Sequence, residues 1–200
     1  MDFQQAVERL REREHVPMFV AEVWDSELDQ ALRDAKPEEL FGGQTLKDPH
    51  MAACVVAGLH LWNDNFEAGH NLCQGIQTPT GSYWHGLCHR REGHRGEGLG
   101  SNLANAKYWF RQVGRHPVFE EVYRSALGVL QSAGGGFRWR SEAESLLQQR
   151  GEWDPFMLVD WFGQVEDGTL SPESGRLLEQ VQWREIGLLV DWCARKAIGG

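Results

Sequence analysis

Apolar residues return every three or four positions along almost the whole of this 200-residue chain, and alternate in the two-residue rhythm of a strand almost nowhere. An apolar stripe at that spacing is buried only if the backbone is helical, because 3.6 residues per turn carries positions i, i+3, i+4 and i+7 to one face. The pattern therefore predicts an all-α fold.

Proline, glycine and short polar runs cut the periodicity into segments. Residues 2–13 carry Phe3, Ala6, Val7 and Leu10 at helical spacing, and 19–35 carry Val20, Val23, Trp24, Leu28, Ala31 and Leu32. Pro37 and Gly42-Gly43 break the chain before Asp48-Pro49, a cap followed by proline in the first turn, opens a helix to about residue 62. Further helices are expected over 66–76, 82–92, 102–114, 118–131, 139–150, 155–166 and 172–197. The last has two apolar stripes, Leu177/Val181/Leu188/Trp192 and Trp183/Ile186/Val190/Cys193. A helix apolar on two sides is either sandwiched within its own fold or shared with a second copy, as in a structural homodimer joined through the C-terminal helix.

Two of the predicted hairpins repeat one another. Ala68, Leu72, Gly75 and Pro79 align with Ala106, Phe110, Val113 and Pro117 at a constant offset, and Ala52, Val55 and Val56 align with Trp84, Leu87 and Cys88. The second copy has a longer loop, the run Gly93-His94-Arg95-Gly96-Glu97-Gly98-Leu99-Gly100. Trp84, Leu87, Ala106, Phe110 and Pro117 resemble the signature of the tetratricopeptide repeat, in which small residues let paired helices approach and large ones fill the gap between pairs. Cys88 and Arg91 stand where that repeat carries a small residue and a tyrosine. The expectation is one all-α domain over 1–200 with antiparallel, tetratricopeptide-like hairpins over about 51–117. The run YWHGLCHRREG followed by NAKYWFRQVGRHP also resembles an uncharacterised family of bacterial all-helical proteins. That resemblance implies a fold and no activity.

The chain carries a formal charge of −9. Such acidity argues against broad nucleic-acid binding and against anionic membranes, both of which need an extended positive surface. No apolar run reaches the length of a signal peptide core or a membrane span, so a cytoplasmic protein is expected. Cys54, Cys73, Cys88 and Cys193 form no C-x-x-C pair and read as buried reduced thiols.

Against this acidic background, residues 81–117 stand out. They hold six cations, two acids, four of the eight histidines and the aromatic residues Tyr83, Trp84, Tyr108, Trp109 and Phe110. A basic, aromatic island suggests a groove for a small anionic ligand or an acidic peptide, with Trp84, His85, His89, Arg90, Asn105, Lys107, Trp109 and Arg111 as the binding residues. Arginine offers a fork to a carboxylate or phosphate, lysine a point charge, and the Asn105 amide a means of fixing orientation.

The histidines suggest a second chemistry. His85 and His89 are four apart on one predicted helix face, and Glu92 follows three later. An H-x-x-x-H pair can grip a divalent transition metal through two imidazoles, with Glu92 as third ligand or base and His70 supplied by the neighbouring hairpin. Glu67 and His70 form an E-x-x-H pair of the kind found in di-iron carboxylate bundles, sites that need two such pairs and further glutamates. Three functional classes follow: a helical-repeat binding protein with a basic, aromatic, His-rich groove, a metal-assisted enzyme centred on His85, His89 and Glu92, and a structural homodimer.

Overall fold

The computed structural model describes residues 1–13, 15–93, 102–134 and 138–200, and these form eleven helices and no strand. In chain order they are α1 (Phe3–Arg11), α2 (Ser26–Asp34), α3 (Pro37–Leu40), α4 (Pro49–Trp62), α5 (Phe66–Gln74), α6 (Pro79–Glu92), α7 (Asn102–Val113), α8 (Phe119–Ser132), α9 (Arg138–Arg150), α10 (Pro155–Glu166) and α11 (Pro172–Ala197). The glycine-rich run between α6 and α7, read above as a loop insertion, lies almost wholly outside the described residues. No described helix is long and apolar enough to cross a membrane.

The helix starts follow from side chains that satisfy the otherwise unpaired first-turn amides. Asp48 accepts from the amides of His50 and Met51, with Pro49 as the first helical residue. Thr78 accepts from the Gly81 amide ahead of Pro79, so α6 begins three residues earlier than apolar periodicity alone indicates. Asp154 caps α10 and Ser171 caps α11 in the same way.

Between residues 19 and 25 the structure corrects the sequence reading. The chain there is not helical. The Val20 amide donates to the Arg91 carbonyl at 2.8 Å, and the Trp24 amide to the Asn63 carbonyl at 3.1 Å. These cross-chain bonds take up backbone groups that a helix would use, and α2 starts only where Asp25 accepts from the Leu28 amide. Pro37, expected to end structure, instead opens the one-turn α3.

Consecutive helices pair as α4 with α5 and α6 with α7, and α5 also packs on α6. The 26-residue α11 runs against α4, α8 and α10. Of its two apolar stripes, Val181, Ile186, Val190 and Cys193 are buried within the chain, while Leu177, Trp183, Leu188 and Trp192 stay half-buried.

Glycines set the close approaches around α6. A Cβ on Gly58 would lie 2.5 Å from the Trp84 ring, and one on Gly86 would lie 2.6 Å from the Phe110 ring. The Trp84 indole therefore reaches over Gly58 of α4, while Phe110 fills the space beside Gly86 and meets Tyr83 edge-on at 5.8 Å. Trp84 and Phe110 serve opposite sides of α6 instead of meeting within their own hairpin.

Buried ion pairs pin this arrangement. Arg90 and Arg91 are both fully buried. Arg90 donates to Glu185 of α11 at 2.6 Å, and Glu185 also accepts from the Tyr83 hydroxyl at 2.7 Å and the Trp153 indole at 3.2 Å. Arg91 bonds Asp64 and the Leu61 carbonyl, and Arg13 bonds Asp64 and the Trp62 carbonyl. Asp64, with φ of 63°, thus holds the α4–α5 turn between two guanidiniums.

Candidate metal centre

The fold brings together three of the histidines singled out from the sequence. His85 and His89 project from one face of α6, with their rings stacked 4.9 Å apart, and His70 of α5 meets both edge-on at 4.7 and 5.0 Å. One ring nitrogen from each lies within 4.8 Å of the others. His85 is 6% and His89 8% exposed, and His70 is half-buried.

Aromatic walls hold the rings. Trp109 of α7 stacks on His85 at 3.9 Å, and Phe66 stacks on His70 at 5.1 Å.

The hydrogen bonds behind the rings fix their protons. The Asn105 amide nitrogen lies 3.0 Å from His89 Nε2 and can only donate, so Nε2 is the accepting atom. His89 Nδ1 then carries the proton and gives it to Glu92 Oε2 at 3.1 Å. A carboxylate behind an imidazole is the usual support of a histidine metal ligand, because it fixes the tautomer and raises ligand basicity. The Gln74 amide nitrogen donates to His70 Nδ1 at 2.9 Å, so His70 Nε2 carries the proton and donates to His85 Nε2, also at 2.9 Å. His70 must exchange tautomers, releasing Gln74, before its Nε2 can ligate.

All three imidazoles are held neutral. Burial lowers the His85 pKa to about 3, with repulsion from His89 and His70 adding to the effect. Burial likewise lowers His70, and it outweighs the Glu92 carboxylate at His89. A neutral imidazole is the form that ligates a metal.

These depressions, with a similar one at His116, have a direct consequence for stability. The His116 Nδ1 accepts from the Val118 amide and its Nε2 meets Thr80 Oγ1, so both ring nitrogens are already used by the neutral form. Burial lowers its pKa to about 4. The unfolded chain takes up protons at these histidines near pH 6.5, whereas the folded chain resists, at His116 until about pH 4 and at His85 until about pH 3. Between those limits the unfolded state binds more protons, so stability must fall as pH falls. Thermal melts are expected to show a steady loss between pH 7 and pH 4.5. A midpoint that stays flat to pH 5 would contradict the neutral assignment.

Two of the residues expected to line a basic groove are withdrawn into the core. Arg90 is at 0% exposure and bound to Glu185, and Trp84, also at 0%, is committed to core packing. Lys107 pairs with Asp160 of α10, Arg115 approaches Glu152 at 3.7 Å, and Arg111 lies over the Phe156 ring at 5.9 Å. Four of the island's cations thus meet acids from elsewhere in the chain, Arg90 with Glu185, Arg91 with Asp64, Lys107 with Asp160 and Arg115 with Glu152. Of the candidate binding residues, His85, His89, Asn105 and Trp109 converge on the histidine cluster, while Trp84, Arg90, Lys107 and Arg111 point elsewhere. Glu92 stands behind His89, and Glu67 is exposed, its charge acting on Arg33.

Phe66 and Gln74 were missed at the sequence level. Gln74 follows His70 by four residues, the spacing that places two side chains on one helix face, and could have been found on that ground.

Comparison with known family models, curated proteins and solved structures returns no match. The functional reading therefore rests on the geometry of the centre.

Proposed function

We propose that the protein binds a divalent transition metal through His70, His85 and His89 and uses it as a Lewis acid toward water or a small anion. The observation that carries this reading is the convergence of three neutral imidazole nitrogens within 4.8 Å, drawn from two helices. Three nitrogen ligands suit zinc, and three protein ligands leave the fourth position of a tetrahedral ion for an exogenous group, the pattern of catalytic sites. Glu92 orients His89 as a supporting carboxylate. Asn105 bonds the His89 nitrogen that would ligate, so its amide would have to withdraw for a metal to be held there. The small anion first expected at the arginines is in this reading taken by the metal.

The scaffold is read as a tetratricopeptide-like pair of hairpins, α4–α5 and α6–α7, in a cytoplasmic protein akin to the bacterial all-helical family that the YWH…HRREG and NAKYWF motifs resemble. Support comes from the order of helix pairing and from the glycine-mediated approaches around α6.

Purified protein is expected to retain close to one equivalent of zinc or a neighbouring first-row metal by elemental analysis, and chelation should lower its thermal midpoint. Protein that carries no metal, takes none up, and melts identically with and without chelator would dismiss the reading.

A further inference from the structure

Two cysteines lie within one helical turn of the histidines. Cys73 follows His70 by three residues on α5, and Cys88 sits between His85 and His89 on α6. Their sulfur atoms are 3.9 Å apart across the α5–α6 contact, both residues are 1% exposed, and neither is bonded to another cysteine. The Cys73 thiol donates to the His70 carbonyl at 3.3 Å, so it is tied to the backbone of a proposed ligand.

We propose that Cys73 and Cys88 form an oxidisable dithiol, and that their disulfide works against metal binding at the neighbouring histidines. This rests on the metal-binding reading above for its second half and on the thiol geometry alone for its first.

The opposition follows from the direction of two movements across one helix contact. His70 Nε2 and His85 Nε2 are 2.9 Å apart. Two nitrogens on a tetrahedral zinc ion, each about 2.0–2.1 Å from it, stand about 3.3 Å apart. Loading must therefore spread α5 from α6 or swing the rings apart. A disulfide does the reverse, because the two sulfurs must close from 3.9 Å to bonding distance between the same helices.

Access to the buried thiols comes through α5. Of its nine residues only Gly69 and Cys73 are fully buried, and Leu72 is 37% exposed. A helix so lightly anchored opens locally at low cost, uncovering Cys73 and, beneath it, Cys88. The oxidant is a small hydroperoxide. One thiolate attacks the peroxide, breaking the O–O bond to give a sulfenic acid and releasing water or an alcohol. The second thiol then displaces the sulfenic oxygen as water, forming the S–S bond. Two electrons and two protons leave the thiols, and the peroxide accepts both.

A second thiol pair provides an internal control. Cys54 of α4 and Cys193 of α11 are both at 0% exposure, where the neighbouring Cys193 and burial push the Cys54 thiol up, and they lie on two helices packed closely against each other.

The test uses the full chain, fully reduced, then treated with hydrogen peroxide. Peptide mass mapping identifies any disulfide, and competition with a chromogenic chelator gives the zinc affinity of each form. The expected result is a Cys73–Cys88 linkage, zinc binding weakened about tenfold, a coupling of ordinary size between two sites, and recovery on reduction. Zinc loaded beforehand should slow the oxidation by the same linkage. In Cys73→Ser, with Cys73→Ala as a second form should serine perturb folding, peroxide should leave zinc affinity unchanged.

A Cys73–Cys88 disulfide with no change in zinc affinity overturns the proposal. So does a zinc-binding protein in which these two cysteines never link. Reduced protein that binds no zinc before any oxidant is added overturns the metal reading itself, and the coupling falls with it.

Discussion

Replacing Glu185 with alanine is expected to destabilise the protein by about 3–5 kcal/mol, the usual loss when one member of a buried ion pair is removed. Glu185 is at 0% exposure and takes three hydrogen bonds, from Arg90, Tyr83 and Trp153. Its loss leaves a phenol and an indole without an acceptor away from water, and leaves the Arg90 guanidinium with no carboxylate and only the Gln182 side-chain oxygen at 3.3 Å. The pair is better tested by a cycle than by one variant. Glu185→Gln leaves Arg90 charged and unpaired, and Arg90→Met leaves Glu185 so. The double variant removes both charges, keeps an acceptor for Tyr83 and Trp153, and should be less destabilised than the sum of the two. Denaturant titration of the four proteins supplies the coupling energy. Strict additivity would mean that the buried pair does not hold α6 to α11. Exposed pairs such as Arg195–Glu121 should contribute little by comparison.

The second large effect concerns metal affinity. Removing a ligand by His85→Ala or His89→Ala should weaken zinc binding by at least about 100-fold, beyond the effect of losing an outer group. Glu92→Gln keeps the size of the side chain but removes the carboxylate behind His89, and should cost about 10–100-fold, the range for such supporting residues. Lys107→Gln should leave zinc affinity unaltered, because Lys107 faces Asp160 on α10. This order, ligand before supporting carboxylate before distant cation, separates a built centre from a general attraction of the surface for metal. Equal losses in all the variants would contradict it.

Most helices were legible in the sequence because burial imposes a period and capping residues mark the ends. The segments expected over 155–166 and 172–197 coincide with α10 and α11. The failures share a physical cause. Val20, Val23 and Trp24 keep helical spacing, yet their stretch of chain bonds to the ends of α4 and α6, and no local pattern reveals a partner 40 or 70 residues away.

The basic island misled for the same reason. Arginines seldom go fully inside a protein, so Arg90 and Arg91 read as surface cations until Glu185 and Asp64 are brought to them. An acid set among Trp183, Ile186 and Leu189 of an apolar helix was the one available hint. The histidine pair on α6 was legible because two ligands four residues apart share a helix face. The place of His70 beside them depended on how α5 packs against α6, which only the three-dimensional arrangement supplies.

In the proposed centre three imidazoles share one metal ion. X-ray absorption at the metal edge of the zinc-loaded full chain tests it most directly. A four-coordinate ion is expected, with three imidazole nitrogens at about 2.0–2.1 Å and one exogenous ligand such as water, and with one imidazole signature lost in His89→Ala. A six-coordinate, oxygen-only shell, or a spectrum unchanged by His89→Ala, would contradict it.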